Sequence, residues 1–401
     1  MSVTTVALGE VATLQAGIGF PPALQGRSEG DFPFAKVGDI SRCGRSECSV
    51  LSTADHYIDE SDVAQLRAKP VPAGSVLFAK IGEAIRQNHR VMAGRPLLID
   101  NNAMAAIPSE RIDSRFLYHY LKTVDFYALA PATTVPALRK SELEGIRVPF
   151  FPLEEQRRIA AILDRAETLR TQRRTALGLL DSLIQSLFLD MFGDPVANDR
   201  GWPKVTVSDF VAGFESGKSL VADDEEDSAS KYRVLKVSAV TSLEYKPEQS
   251  KAVPPDYAPP QSHIVRAGDL LFSRANTSEL IGATAYVEST PDNLLLPDKL
   301  WRFVWHAPSQ AAPLYVMHLF RQPKFRQEIG QRASGTSGSM KNISQEKVLS
   351  IQVGNPPLPL QQTFATRIAA IEALKATHRR ALAALDELFA SLQQRAFTGA
   401  L

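Results

Sequence analysis

The chain is one unit written twice, and each copy closes in the same helical pattern. The first copy ends in Pro-Leu-Glu-Glu-Gln (152–156) and a run from Arg157 to Phe192. The second ends in Pro-Leu-Pro-Leu-Gln (357–361) and a run from Gln362 to Phe397. Without a gap, Leu169 falls on Leu374, Arg174 on Arg379, Leu177 on Leu382, Leu180-Asp181 on Leu385-Asp386 and Phe192 on Phe397. An internal repeat dictates architecture before any local propensity does. It predicts two similar globular domains, each followed by a similar long helix.

The globular parts repeat more weakly. Segment 6–11 parallels 205–210, segment 34–40 parallels 234–240, and segment 72–78 parallels 266–272. These are short apolar or β-branched runs bounded by Gly, Pro and Asp, which read as strands and turns. A short helix is expected near 114–122 and again near 313–321. Each globular part is therefore α+β with a mostly β core, and the loops between matched strands differ freely. The expected boundaries are 1–151 and 195–356 for the globular domains, with 152–194 and 357–401 for the helices.

In the first helical run, Ile159, Ile162, Ala166, Leu169, Arg173, Ala176, Leu180, Leu183 and Leu187 follow alternating steps of three and four. That is a heptad seam. The second run supplies Phe364, Ile371, Leu374, His378, Ala381, Leu385, Leu388 and Leu392. An extra stripe (Leu163, Leu177, Ile184; Ile368, Leu382, Phe389) widens the apolar face, either as core against the chain's own domains or as a docking face. The polar slots Arg173 and His378 are expected to set register from inside the seam. Forty residues of helix make a rod of about 60 Å. Connectivity then requires the helices to run antiparallel if they pack together. The expected object is two domains at opposite ends of a rod, related by a pseudo-two-fold.

Composition is that of an ordinary globular protein, with 44% hydrophobic and 22% charged residues. No apolar stretch of about 18 residues is evident, so no membrane span is expected. The start of the chain lacks the layout of a secretory signal. Cys43 and Cys48 read as reduced thiols, which points to the cytoplasm. A net charge of +1 does not announce a nucleic-acid partner, but a DNA reader needs a basic face rather than a basic total. The acidic run 223–227 offsets five positive charges elsewhere.

Two separated, similar heads are the geometry used against two half-sites on a duplex. Because these heads differ in sequence, the half-sites should differ too. The motifs Val-Gly-Asp-Ile (37–40), the Gly-x-Leu/Val-Leu-Phe turns (74–78, 268–272) and Pro-Leu-Glu-Glu-Gln-Arg-Arg-Ile (152–159) resemble the specificity subunit of type I restriction–modification systems. The resemblance runs from Val6 to Phe397 in that family's order. It implies two target-recognition domains on double-stranded DNA and a helical spacer that binds two DNA adenine methyltransferase subunits. Restriction–translocase subunits would join the same assembly. It further implies a non-catalytic chain without cofactor or metal, with S-adenosylmethionine, ATP and Mg held by the partners. The second copy departs from the pattern with Pro-Leu-Pro-Leu-Gln, which bears on how its helix begins.

Candidate DNA contacts are the polar residues that punctuate the matched strands. In the first head they are Lys36, Lys80, Arg86, Asn101, Asn102, Arg139 and Lys140. In the second they are Lys218, Lys236, Arg274, Asp298, Lys299, Arg302 and Lys341. Asn suits adenine, and Arg or Lys suits guanine or phosphate. Candidate seam and docking residues are Ile159, Leu163, Leu169, Leu177, Leu180, Leu187, Phe364, Ile371, Leu374, Leu382, Leu385 and Leu392.

Three look-alikes carry no catalytic reading. Asn-Pro-Pro-Leu (355–358) has leucine where an amino-methyltransferase stacks an aromatic. Gly17-Ile18-Gly19 lacks a leading strand and an acidic ribose partner. Gly213 to Ser219 is one residue short of a phosphate loop. The histidines show no pair at metal-ligand spacing. A self-contained methyltransferase or nuclease, and a protein-binding coiled-coil adaptor, are the alternatives to a DNA-reading subunit.

Overall fold

The structure is a computed structural model that describes residues 3–46, 48–130, 135–220, 230–337 and 340–401. The acidic run 223–227 lies outside the described residues. The chain divides into two compact units. The first is Met1–Ala176 with His378–Leu401, and the second is Leu177–Thr377. Each unit thus takes one end of each long helix, Leu153–Phe192 and Leu358–Thr398.

In the first unit a five-stranded sheet places Ala12–Ala16 beside Ala103–Pro108, Val76–Ala79, Val91–Ala93 and Val50–Leu51. A three-stranded sheet joins Phe32–Ala35 to Tyr57–Ile58 and, in parallel, to Leu98–Ile99. The second unit repeats this with a four-stranded sheet of Val211–Ser216, Leu300–Trp305, Leu270–Ser273 and Thr284–Tyr286. Its three-stranded sheet joins Arg233–Leu235 to Ser250–Ala252 and, in parallel, to Leu294–Leu295. The expected short helices are Ser114–Thr123 and Pro313–Arg321.

The glutamine that ends each Pro-Leu motif explains the motif. Gln156 is fully buried; its Oε1 accepts from the Asp113 N–H at 2.8 Å, and its Nε2 donates to Phe151 O and Arg111 O. Gln361, equally buried, accepts from the Ala312 N–H at 3.1 Å and donates to Pro356 O at 2.8 Å and Asn355 Oδ1 at 3.1 Å. In each unit one amide side chain ties the start of the long helix to the start of the short one. The changed residues of the second motif leave this linkage intact. Asn355 is used structurally, its N–H donating to Pro203 O.

Within each unit the two long-helix segments run antiparallel. In the first unit Arg170 pairs with Asp386 at 2.5 Å, while Arg158 donates to Leu401 O. In the second, Lys375 pairs with Asp181 at 2.7 Å. The repeat maps Arg170 onto Lys375 and Asp386 onto Asp181, so each unit makes the same ion pair with the two helices exchanged.

The buried stripe on the helices is the one facing each unit's own sheet and short helix. Ile159, Leu163, Ala166 and Phe389 join the first core, and Ile184, Phe188, Phe192, Phe364 and Ile368 join the second. Phe397 packs edge-on to Phe116 at 5.5 Å, and its repeat counterpart Phe192 packs on Tyr315 at 4.9 Å. The extra stripe is therefore mostly core. Leu169, Leu177, Leu180, Leu187, Ile371, Leu382, Leu385 and Leu392 are half-buried. Leu183, Leu374 and Leu388, expected in the seam, are 47–49% exposed. A two-helix contact covers less of a helix than a whole domain does, and the domain-facing stripe wins. Arg173 and His378 do meet, at 3.2 Å, but as a partly exposed pair rather than a buried core slot.

One sequence expectation needs amending. The helix Leu153–Phe192 is long and apolar enough by composition to cross a membrane. Its apolar residues have another explanation in part, since Ile184, Phe188 and Phe192 fill the second core and Asp181 is ion-paired within it.

Candidate nucleic-acid interface

In the first unit the strands Ala12–Ala16, Phe32–Ala35, Val76–Ala79 and Leu98–Ile99 finish at one edge, where Ala103–Pro108 begins. The residues just past those ends are Gly17, Lys36, Lys80 and the turn Asp100–Asn102. Main-chain bonds knit them together: Lys80 N–H to Asn102 O at 2.8 Å, Asp100 N–H to Ala35 O at 3.0 Å and Ile18 N–H to Ile99 O at 3.0 Å. Leu138 N–H donates to Lys80 O at 2.8 Å, which brings exposed Arg139 and Lys140 to the same edge.

The second unit builds the same edge from different side chains. Gly217-Lys218, Lys236, Arg274 and Asp298-Lys299 follow or precede the equivalent strands. Arg274 N–H donates to Lys299 O at 3.1 Å, as Lys80 does to Asn102, and Ile343 N–H donates to Arg274 O at 3.1 Å, as Leu138 does to Lys80. Lys341 stands beside it, in register with Asn276.

Several of these cations are held rather than loose. Lys36 Nζ donates to Gln25 Oε1 at 2.8 Å and lies 5.3 Å from the Phe20 ring centroid. Arg274 Nε donates to Asp298 O at 2.8 Å, and Lys341 Nζ donates to Gly335 O at 3.0 Å. Pre-positioned donors lose less freedom when they engage a ligand. Asp100 is buried at this edge; burial raises its pKa, opposed by the Asn102 hydrogen bonds and the charge of Lys36.

Two candidates stand elsewhere. Arg302 lies mid-strand with its side chain 12% exposed, paired to Glu215 at 2.6 Å and Asp269 at 3.2 Å. It also donates to Ile264 O and Ser262 O. Both terminal nitrogens of its guanidinium are engaged within the unit, which makes it a structural hub away from the strand-end edge. Its position in the sequence differs from the others by facing out of a strand rather than following one. Arg86 is on a separate loop, pinned to Tyr127 Oη at 2.7 Å and Glu83 at 3.0 Å.

Sequence reasoning missed three features. A strand does lead into Gly17-Ile18-Gly19, namely Ala12–Ala16. The matched glycines Gly17 and Gly217 are packed tightly at the two edges, and their common place in the repeat was the available signal. Third, His119, Asp164 and Glu167 bring ligand-type atoms within 4.8 Å of one another. His119 Nε2 is hydrogen-bonded to Asp164 at 2.8 Å, Lys122 pairs with Glu167 at 2.5 Å, and Arg115 lies 3.7 Å from Asp164. Burial opposes the Asp164 charge, but His119 and Arg115 outweigh it and hold this carboxyl below its ordinary value. These groups form an ion-pair network between the short helix and the long one, with the buried His119 Nδ1 left without a hydrogen-bond partner. No linear spacing announces it.

Residues 2–177 match the family model described as the type I restriction modification DNA specificity domain. The EcoEI specificity subunit of Escherichia coli is 29% identical over 175 residues, 42% of this chain and 29% of that protein. The MjaIX specificity subunit of Methanocaldococcus jannaschii is 25% identical over 43% of this chain and 40% of its own length. The chain thus aligns to well under half the length of these two relatives. The MjaVIII specificity subunit of the same organism aligns more widely, at 21% identity over 72% of this chain and 70% of its own. The crystal structure of the type I S subunit from M. genitalium shares the fold, with a TM-score of 0.60 over 98% of this chain and 96% of that one at 14% identity. Residues 2–177 thus match a type I restriction modification DNA specificity domain, and the chain is similar in fold along its length to a type I S subunit.

Proposed function

We propose that this chain is the non-catalytic, DNA-reading subunit of a type I restriction–modification complex, and that it reads a bipartite, asymmetric site with its two units. The observation that carries this reading is the repeated strand-end edge. One backbone framework presents Lys36, Lys80, Asn101, Asn102, Arg139 and Lys140 in one unit. The same framework presents Lys218, Lys236, Arg274, Asp298, Lys299 and Lys341 in the other. Side chains on loops read bases while cations hold phosphates, and equal frames with unequal side chains suit two different half-sites.

The long helices recruit methyltransferase subunits. Leu183 in the second unit and Leu388 in the first occupy equivalent places in the repeat and are 48% and 49% exposed. An apolar residue left open at the same point of both copies suits two identical partners. Exposed Leu179 and Leu374 extend the patch in the second unit. S-adenosylmethionine then belongs to those partners, and ATP and Mg to a restriction–translocase subunit. The purified chain should bind duplex DNA with strong salt dependence. Given labelled S-adenosylmethionine, it should transfer no methyl group until the methyltransferase is added. Transfer by the chain alone would favour a self-contained enzyme, and absence of DNA binding would favour a protein adaptor.

A further inference from the structure

We propose that Gly17 and Gly217 are positioning residues for base reading, and that the turns they seat, Asp100–Asn102 and Pro297–Lys299, are the equivalent specificity-determining segments of the two units. This rests on the DNA-reading assignment above and names the part of each edge that discriminates. A Cβ at Gly17 would lie 1.9 Å from Asp100 O and 2.4 Å from Ile99 O. At Gly217 it would lie 1.6 Å from Leu296 O. Neither glycine is among those with positive φ, so space and not conformation demands glycine at both positions. The atoms met most closely, at 1.6–2.5 Å, are all main chain of, or just before, the turn, so the turn itself would have to move.

Both glycines also bond at the turn, at opposite ends of it: Gly17 N–H donates to Ala103 O, just past its turn, and Gly217 N–H donates to Pro297 O, at the start of its turn, each at 3.1 Å. On its far side each turn is tied to the next strand end, through Lys80 N–H in one unit and Arg274 N–H in the other. Each turn is therefore clamped between a glycine strand end and a cationic strand end. What it carries differs: Asn101-Asn102 in the first unit, Asp298-Lys299 in the second. Asn pairs with adenine, Lys with guanine and Asp with the cytosine amine, so one scaffold position carries two different readouts.

The test uses the full chain with its methyltransferase partner. Binding is measured on the cognate duplex and on duplexes altered in one half-site at a time. Gly17→Ala should cut discrimination at one half-site by about 10- to 100-fold, the range that a mismatched base pair spans. Discrimination at the other half-site and the salt dependence of non-specific binding should stay as in the wild type. Gly217→Ala should do the reverse. Gly9→Ala is the control in the first unit, because its Cβ meets only the Glu144 side chain closely, at 3.2 Å, and it should change neither half-site. If Gly17→Ala does not fold, Asn101→Ala with Asn102→Ala carries the test, and unchanged discrimination overturns the inference. Unchanged or doubly lost discrimination in a folded Gly17→Ala chain also overturns it, while the DNA-reading assignment stands. A wild-type complex that discriminates at neither half-site overturns both.

Discussion

Replacing Gln361 with alanine should destabilise the second unit selectively and by a large amount. The side chain is fully buried and makes three hydrogen bonds, to the Ala312 N–H, Pro356 O and Asn355 Oδ1. Ala312 and Pro356 are buried and have no water to turn to. Leaving a buried polar group without its partner costs about 1–3 kcal/mol. Two such groups, with the packing lost on truncation, bring the expected cost to about 3–5 kcal/mol, in the upper tail for single substitutions. For a unit of this size each kcal/mol lowers the midpoint by about 2–4 °C, so a drop of roughly 6–20 °C is expected. Scanning calorimetry of wild type, Gln361→Ala and Gln156→Ala would measure it. Gln156→Ala should lower the first unit's transition by less, because one of its acceptors belongs to exposed Arg111. A Gln361→Ala midpoint within about 2 °C of wild type would refute the reasoning, since it would mean that water or relaxation replaces all three bonds.

Three further outcomes follow from individual groups. His318 is buried beside the charges of Arg321 and Lys375, with its pKa pushed down to about 3, chiefly by burial. The folded state therefore binds fewer protons than the unfolded one between about pH 3 and 6.5, and stability falls as the pH drops through that window. Calorimetry at pH 6.5 and pH 5 should show a loss of about 2 kcal/mol in the second unit that His318→Phe removes; equal losses in both proteins would contradict it. Arg302→Met should destabilise the second unit by about 1–3 kcal/mol by stranding Asp269, yet leave the salt dependence of DNA binding unchanged; a shallower salt slope would make Arg302 a phosphate contact after all. Leu183→Lys with Leu388→Lys should weaken methyltransferase association at least tenfold, a cost of about 1.4 kcal/mol, without lowering either melting transition, and full association would place the partner elsewhere.

The repeat, the matched strands and the helix limits were legible because they depend on local pattern, which two copies in one chain display twice. What the sequence could not display was which face of each long helix would be buried. Heptad spacing marks Leu183, Leu374 and Leu388 as readily as Ile159, but only Ile159 meets a domain core. The same limit explains the candidate contacts. Residues one step past a strand end, such as Lys80 and Arg274, fall at the edge because strand ends coincide there. Arg302 is inside a strand, and only the fold places it opposite Glu215 and near Asp269. The His119–Asp164 bond, 45 residues apart in sequence, is a property of helix packing. Its counterpart is missing in the second unit, where Asp164 maps onto Ala369 and His318 Nε2 has no hydrogen-bond partner.

Methylation mapping with the chain and its methyltransferase partner tests the central claim most directly. Residues 1–150 would be replaced by the corresponding segment of another specificity subunit, and the methylated sites of parent and hybrid compared. The account predicts a bipartite site with two different halves in the parent, and a hybrid in which one half changes and the other is kept. A single undivided site, or a hybrid in which both halves change together, would contradict it.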